Sequence, residues 1–320
     1  MLHGIPVVLG TAAFGTSIPT EESWRVLDKY ASLGGRVVDT ANMYAFWHPR
    51  GKGGESERVI GSWLARRGRR AFTIMTKIGS RPIDAHKDRN KVEGLSPGAV
   101  RSAVKKSLTR LKTDYIDILL AHHDDRNTPL LDTWKCFSDL VAEGKVKKIG
   151  VSNYSPARMA ELARIVLKHD LAPIDFVQLQ YSVIDPVGVH DWGNLVLLTR
   201  AMRSTLRRLV PGAVIFAYSP LLGGRVFEKT AQDEWPAEYD SLRNRSKVRT
   251  IQRKAGELNV TPSACVLKQI ADQGIWPITA TGNVARLETN LKLFNVKGAR
   301  MMPATRLRHS HFSEEAARIG

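Results

Sequence analysis

The strongest constraint on the fold of this 320-residue chain is an alternation. Short apolar, β-rich runs lie at 7–11, 36–39, 72–76, 116–121, 148–151, 176–179, 214–218 and 276–279, each separated from the next by a longer amphipathic stretch. Strands with a helix between them pair in parallel through right-handed crossovers. Helices are expected over 21–33, 56–65, 97–111, 130–142, 156–168, 194–209, 246–258, 262–271 and 284–293. Three have explicit start signals: Ser96-Pro97, Ser155-Pro156 and Thr261-Pro262 each set a capping hydroxyl before a proline at the first helical position. Eight such strands predict an α/β fold, the (β/α)8 TIM barrel. The rival, a doubly wound open sheet, carries a G-x-G-x-x-G turn after its first strand. Here that strand runs into Leu9-Gly-Thr-Ala-Ala-Phe-Gly15, which lacks the pattern. With no repeat and no low-complexity linker, residues 1–320 are expected to form one domain.

Composition removes several classes. A hydrophobic fraction of 43% excludes wholesale disorder. Two cysteines, Cys136 and Cys265, are too few for a disulfide-stapled scaffold and read as buried thiols. No apolar run reaches the ~18 residues of a membrane span. The apolar start at 5–14 is broken by Pro6 and Gly10 and has no basic region before it, so a cytoplasmic protein without a membrane partner is expected. The formal charge of +17, from 48 Lys+Arg against 31 Asp+Glu, raises the question of a nucleic-acid partner. The basic residues are spread over helices and loops, with no basic tail and no recognition motif, so no nucleic-acid partner is expected. A broad positive surface still draws small anions.

Polar residues gather at strand ends. Asp39 ends one strand, Lys77 and His122 follow two others, Ser152-Asn153 a fourth, and Gln178 lies near the end of a fifth. In a barrel those ends share one face, the one that carries active sites. Singly, each has an ordinary reading: an ion pair, a core histidine, a turn with its helix cap. Their convergence on one face favours a site. The run His122-His123-Asp124-Asp125 also reads as a set of metal ligands, but successive strand residues point to opposite faces, and no metal is expected.

Longer motifs carry a resemblance. Asp39-Thr-Ala-Asn-Met-Tyr44 is followed by Gly54-Glu-Ser-Glu-Arg-Val-Ile-Gly61, Thr76-Lys77 and Ser107-Leu-Thr-Arg-Leu-Lys-Thr-Asp-Tyr-Ile-Asp-Ile-Leu-Leu-Ala-His122. Then come Gly144-Lys-Val-Lys-Lys-Ile-Gly-Val-Ser-Asn153, Val177-Gln-Leu-Gln-Tyr181, Ala217-Tyr-Ser-Pro-Leu221 and Arg286-Leu-Glu-Thr-Asn290. In this order, over almost the whole chain, they resemble the aldo-keto reductases. The resemblance implies a barrel that reduces aldehydes or ketones with a nicotinamide cofactor. Its catalytic tetrad falls on Asp39, Tyr44, Lys77 and His122. Tyr44 would be the general acid, Lys77 would lower its pKa, Asp39 would hold Lys77, and His122 would orient the carbonyl.

The same resemblance implies a cofactor site. Ser152, Asn153 and Gln178 match groups that hold the carboxamide, and Tyr218 matches an aromatic that stacks on the ring. Ser219, Leu221, Gly223 and Arg225 match the pyrophosphate loop, and Arg286 and Asn290 match contacts to the adenosine end. Ala280 stands where many members carry Lys or Gly, yet Arg286 remains to meet a 2′-phosphate, so NADP(H) is expected over NAD(H). Phe14, Trp47, His48 and Trp192 lie on loops expected to form the substrate rim. The partner expected is a small-molecule carbonyl compound, with the protein a monomer. The motifs leave two alternatives open: a specialised sugar ketoreductase of a biosynthetic pathway, or a non-catalytic cofactor-binding subunit on the same fold.

Overall fold

The computed structural model describes residues 2–84, 88–188, 192–224, 226–230 and 233–295. The strands are β1 (Val8–Gly10), β2 (Val37–Asp39), β3 (Thr73–Ile78), an antiparallel hairpin of β4 (Pro82–Asp84) with β5 (Asp88–Val92), β6 (Ile116–Ala121), β7 (Val146–Ser152), β8 (Phe176–Gln180), β9 (Val214–Tyr218) and β10 (Ile275–Thr279). Without the hairpin, eight strands close a parallel barrel in the order β1, β2, β3, β6, β7, β8, β9, β10 and back to β1. The helices are α1 (Thr20–Ser32), α2 (Glu55–Arg67), α3 (Pro97–Leu111), α4 (Leu130–Ala142), α5 (Pro156–Lys168), α6 (Arg200–Leu209), α7 (Leu242–Leu258), α8 (Pro262–Ala271) and α9 (Val284–Leu291). This is the (β/α)8 barrel expected from the alternation. No helix among the described residues is long and apolar enough to cross a membrane. Residues 296–320, the end of the expected single domain, lie outside the described residues.

The strands are apolar on both faces because both faces are covered. Val8, Val37, Met75, Ile118, Leu120, Phe176, Phe216 and Ile278 form one buried cluster, with Phe176 and Phe216 stacked at 5.3 Å. Their alternates Val7, Leu9, Val38, Ile74 and Leu119 belong to the larger cluster shared with the helices. The cap signals act as read: the side chains of Ser96, Ser155 and Thr261 accept from the backbone N–H groups of Ala99, Arg158 and Ala264.

Two helix starts differ from the sequence expectation by more than one residue. The helix expected at 194–209 begins at Arg200, because Thr199 caps it through the N–H of Met202. The helix expected at 246–258 begins at Leu242, where Ser241 caps it through the N–H of Asn244.

Charges entering the barrel from the N-terminal end are paired. Asp117 accepts from Arg69 Nη2 at 2.6 Å, from the Ile74 backbone N–H at 2.9 Å and from Lys147 Nζ at 3.1 Å. Asp175 accepts from Lys148 Nζ at 2.8 Å. Truncating Asp117 strands a largely buried guanidinium and a strand amide at once. Asp117→Ala is expected to cost about 2–3 kcal/mol, read from the midpoint shift in urea unfolding. A shift within about 0.5 kcal/mol, ordinary for a surface position, would contradict this account.

Candidate active site

Strand register assembles the site. Asp39 pairs opposite Met75, Lys77 opposite Leu120, and the N–H of His122 donates to the Ile78 carbonyl at 2.9 Å. Adjacent strand ends thereby deliver Asp39, Lys77 and His122 to one place. Tyr44 arrives from the loop after β2. Its carbonyl accepts from the Gly54 N–H at 2.8 Å. Gly54 has φ of 90°, and a Cβ there would meet Arg110 Cδ at 2.6 Å, so glycine is required where the loop turns into α2.

Lys77 is the centre. It is fully buried, and its ammonium meets Asp39 Oδ1 at 2.7 Å, the Thr40 carbonyl at 2.8 Å and the Tyr44 hydroxyl at 3.0 Å. Those three acceptors match its three donors. Burial alone would lower the Lys77 pKa; the Asp39 carboxylate and Tyr44 more than offset this and hold it above the ordinary value. Burial pushes Asp39 up against the pull of Lys77. Burial also pushes the Tyr44 phenol above its ordinary value, with Lys77 opposing. The lowering by Lys77 expected from sequence is therefore present but outweighed, since desolvation of the phenol is the larger effect. His122 presents its ring edge-on to Tyr44, centroids 5.9 Å apart, and its Nδ1 is buried without a partner. Burial first, then the charges of Lys77 and His123, push His122 well below the usual imidazole value.

The Gly54–Gly61 motif supports this cluster from behind. Ser56 Oγ bonds Thr11 Oγ1 at 2.7 Å and Thr40 Oγ1 at 2.8 Å, and Thr11 Oγ1 donates to the Asp39 carbonyl at 2.7 Å. Glu57, fully buried, accepts from Thr76 Oγ1 at 2.7 Å and from Arg110 Nε at 2.6 Å. Thr76, just before Lys77, is thus tied through Glu57 to α2 and α3, and Thr40 is tied to α2 through Ser56.

A cleft of about 840 Å³ opens over the cluster. Tyr44, Asp39, His122, His123, Ser152, Asn153, Gln178 and Tyr218 line its inner end; Ser219, Leu221, Gly223, Arg286 and Asn290 line the rest. Gln178 Nε2 donates to Asp39 Oδ1 at 3.1 Å. Asn153 makes four bonds within the protein. Its Nδ2 donates to the His122 carbonyl and to Ser152 Oγ, and its Oδ1 accepts from the Tyr218 hydroxyl at 2.7 Å and from the Val196 N–H. Asn153 therefore locks the Tyr218 ring to the strand that carries His122. Ser219 and Leu222 both have φ of 52°, and Gly223 has 70°, so the chain after β9 turns tightly along the cleft. Arg225 lies outside the described residues. Arg286, in the first turn of α9, is exposed and without an ion pair among the described residues; Asn290, one turn on, is buried.

The four rim residues fall elsewhere in part. Phe14 is 1% exposed within the apolar core, because its bridge to Ile18 turns it under the loop, and it does not reach the cleft. Trp192 packs against the same core. His48 Nδ1 accepts from the Arg50 N–H within its own turn. Trp47 stands beside Tyr44, centroids 5.6 Å apart, and is 43% exposed. Sequence reasoning also set His123 aside. β6 ends at Ala121, so strand alternation no longer applies, and the two imidazoles stack at 4.9 Å with planes 9° apart. The adjacent histidines were the available signal. Ser80, which bonds His123 Nδ1 at 2.7 Å, had none.

The fold and the cleft define a class: parallel barrels whose C-terminal mouth holds a Tyr–Lys–Asp–His cluster beneath an open cleft. Within that class the aldo/keto reductase family model matches residues 6–301, and the chain belongs to that family. An uncharacterized oxidoreductase of Bacillus subtilis is 32% identical over 219 residues, covering 68% of this chain and 62% of that protein. A norsolorinic acid reductase of Aspergillus flavus is 31% identical over 187 residues, covering 55% and 46%. Both matches span less than two thirds of the relative's own length. An aldo-keto reductase of Strobilurus tenacellus is 31% identical over 310 residues, covering 90% and 81%. A crystal structure provisionally described as a 2,5-diketo-D-gluconic acid reductase B shares the fold, with a TM-score of 0.67, 21% identity and coverage of 92% and 87%.

The buried imidazoles set a pH dependence. His122 and His123 both titrate below the ordinary value of 6.5 when folded, burial being the first cause for each. Below that pH the unfolded chain binds more protons, so stability is lost as pH falls. Asp28 and Asp125 have lowered values and lose charge only under 3.8, outside this window. Between about pH 7 and 5 the unfolding free energy from urea titration is expected to fall, by at most about 1.4 kcal/mol per pH unit per histidine, and His122→Asn should flatten the slope. An unchanged slope in that variant would contradict the shift.

Proposed function

We propose that this chain is an NADP(H)-dependent carbonyl reductase acting on an aldehyde or ketone, with Tyr44 as general acid. The observation that carries the reading is the Lys77 ammonium, buried and bound at once to Asp39 Oδ1 and the Tyr44 hydroxyl beside the His122 ring. Three features fit a dinucleotide. The cleft has a volume of about 840 Å³, the turn at Ser219–Gly223 offers it a tightly wound backbone, and Thr279 Oγ1, buried in its lining, has no partner. Tyr218 would flank the nicotinamide, Ser152 and Gln178 would hold its carboxamide, and Arg286 with Asn290 would hold the adenosine end. When bound, the nicotinamide supplies the hydride that the carbonyl carbon receives.

The chain's own residues handle the proton. Hydride addition builds negative charge on the carbonyl oxygen, and Tyr44 Oη holds the proton that answers it. Its raised pKa keeps that proton in place beforehand. Lys77, kept cationic by Asp39, stabilises the phenolate left behind. The unpartnered burial of His122 Nδ1 leaves Nε2 as the nitrogen able to meet the cleft, and the neutral ring donates from there to the developing oxyanion. We assign a small-molecule carbonyl partner and a monomeric state to this reading.

Tyr44→Phe is expected to abolish turnover on a panel of reactive aldehydes while NADPH still quenches protein fluorescence; equal activity of wild type and variant would refute the assignment. Arg286→Ala is expected to raise the NADPH dissociation constant by roughly 10–100-fold and leave NADH nearly unchanged, as loss of one charge-assisted phosphate contact requires. Equal loss for both cofactors would remove the preference for NADP(H).

A further inference from the structure

We infer that His123 is a positioning residue: anchored by Ser80, it stacks on the His122 ring and keeps Nε2, rather than Cε1, toward the carbonyl. The inference rests on the carbonyl-reductase reading only for what His122 meets in the cleft. The geometry itself is independent of that reading.

Three contacts hold the arrangement. Ser80 Oγ and His123 Nδ1 are 2.7 Å apart, and Ser80 is buried in the loop after β3. The rings of His123 and His122 are 4.9 Å apart and nearly parallel. The Tyr44 ring also meets His122, in an edge-to-face contact with centroids 5.9 Å apart. His122 therefore packs against a ring anchored from the loop after β3 and a ring hydrogen-bonded to Lys77. A half-turn about the Cβ–Cγ bond would exchange Nε2 with Cε1 and Nδ1 with Cδ2, and only packing prevents it. The two ring contacts supply that packing, and Nδ1 stays buried.

His123 does not serve as a second group facing the carbonyl, because its Nε2 is itself buried. Nor do the neighbouring acids make the run a metal site. Asp124 is engaged by Arg158 at 2.7 Å and by Arg126. Asp125 accepts from the Leu95 and Asn127 N–H groups and from Thr128. The charged and titratable groups facing His122 are Lys77 from β3, with Asp39 of β2 behind it, Tyr44 from the loop after β2, and His123 from its own segment. Lys77 and His123 disfavour a charged His122, and removing the His123 ring admits water to its face.

The test is an imidazole-nitrogen NMR titration of the full chain from about pH 8 to about pH 5.5, run beside steady-state kinetics. In wild type, His122 is expected to stay uncharged across that range. In His123→Ala it should titrate closer to the ordinary value, with kcat down about 10–100-fold and the KM for the dinucleotide unchanged. His123→Phe keeps a stacking ring without nitrogens and should restore both the titration and most of kcat. Ser80→Ala should move both readouts in the direction of His123→Ala, by less. Wild-type titration and kcat in His123→Ala would overturn the inference. So would a His123→Phe variant that behaves like His123→Ala. If His123→Ala fails to fold, Ser80→Ala and His123→Phe decide by the same criteria. If the wild type reduces no carbonyl, the proposed function fails, while the titration still decides whether His123 positions the ring.

Discussion

A fully buried ammonium is the condition around which the site is built. Moving Lys77 out of water costs several kcal/mol unless charge and hydrogen bonds replace the solvent. Asp39, the Thr40 carbonyl and the Tyr44 hydroxyl do this together, and each constrains a different part of the chain. Asp39 fixes the end of β2 against β3. The Thr40 carbonyl fixes the residue after it. The Tyr44 hydroxyl is the member left at the floor of an open cleft. Loss of any one leaves a cation short of an acceptor in a place water does not easily reach, so the chemistry and the local fold share a cause.

The surroundings follow from holding that ammonium still. Thr11, Thr40 and Ser56 pass hydrogen bonds from β1 through β2 to α2, while Thr76, Glu57 and Arg110 pass them from β3 through α2 to α3. The short motif before α2 is thus a bracket: glycine to turn the loop and bond the Tyr44 carbonyl, serine to reach two threonines, glutamate to reach a strand and a helix. Each residue type is set by what it must touch.

Much of this was legible in the chain. All eight barrel strands were visible, because buried parallel strands are continuous apolar runs. The bounds of α3, α4, α5 and α8 were visible too, three of them through a hydroxyl cap followed by proline. The β4–β5 hairpin was not, since the sequence of 82–92 is mostly polar and its apolar Ile83 and Val92 are exposed. Phe14 was assigned to a rim because sequence shows a residue on a loop but not which way the loop folds. Asn153 shows the same limit in the site. Its place beside the cleft was foreseeable, but the use of its whole amide on Tyr218, His122, Ser152 and Val196 depends on three strands meeting. His123 lies two residues past the end of β6, where strand alternation no longer tells which way a side chain points.

The two ends of the barrel differ in how fully their polar groups are satisfied. At the N-terminal end Asp117 and Asp175 have cations in contact. Among the described residues, the buried side-chain atoms without partners belong to Asn42, Glu55, His122, His123, Tyr154, Gln180, Trp235 and Thr279. Every one lies at the last residue of a barrel strand, in the loop that follows it, or, for Glu55, at the first residue of the helix that loop enters. Each such atom carries a penalty of about 1–3 kcal/mol in an otherwise well-satisfied protein. Random defects would not sort to one end of a barrel. The sorting marks the C-terminal mouth as the place where this sequence gives up stability to keep groups available, and for Thr279, which lines the cleft, a bound ligand is the partner the fold itself does not provide.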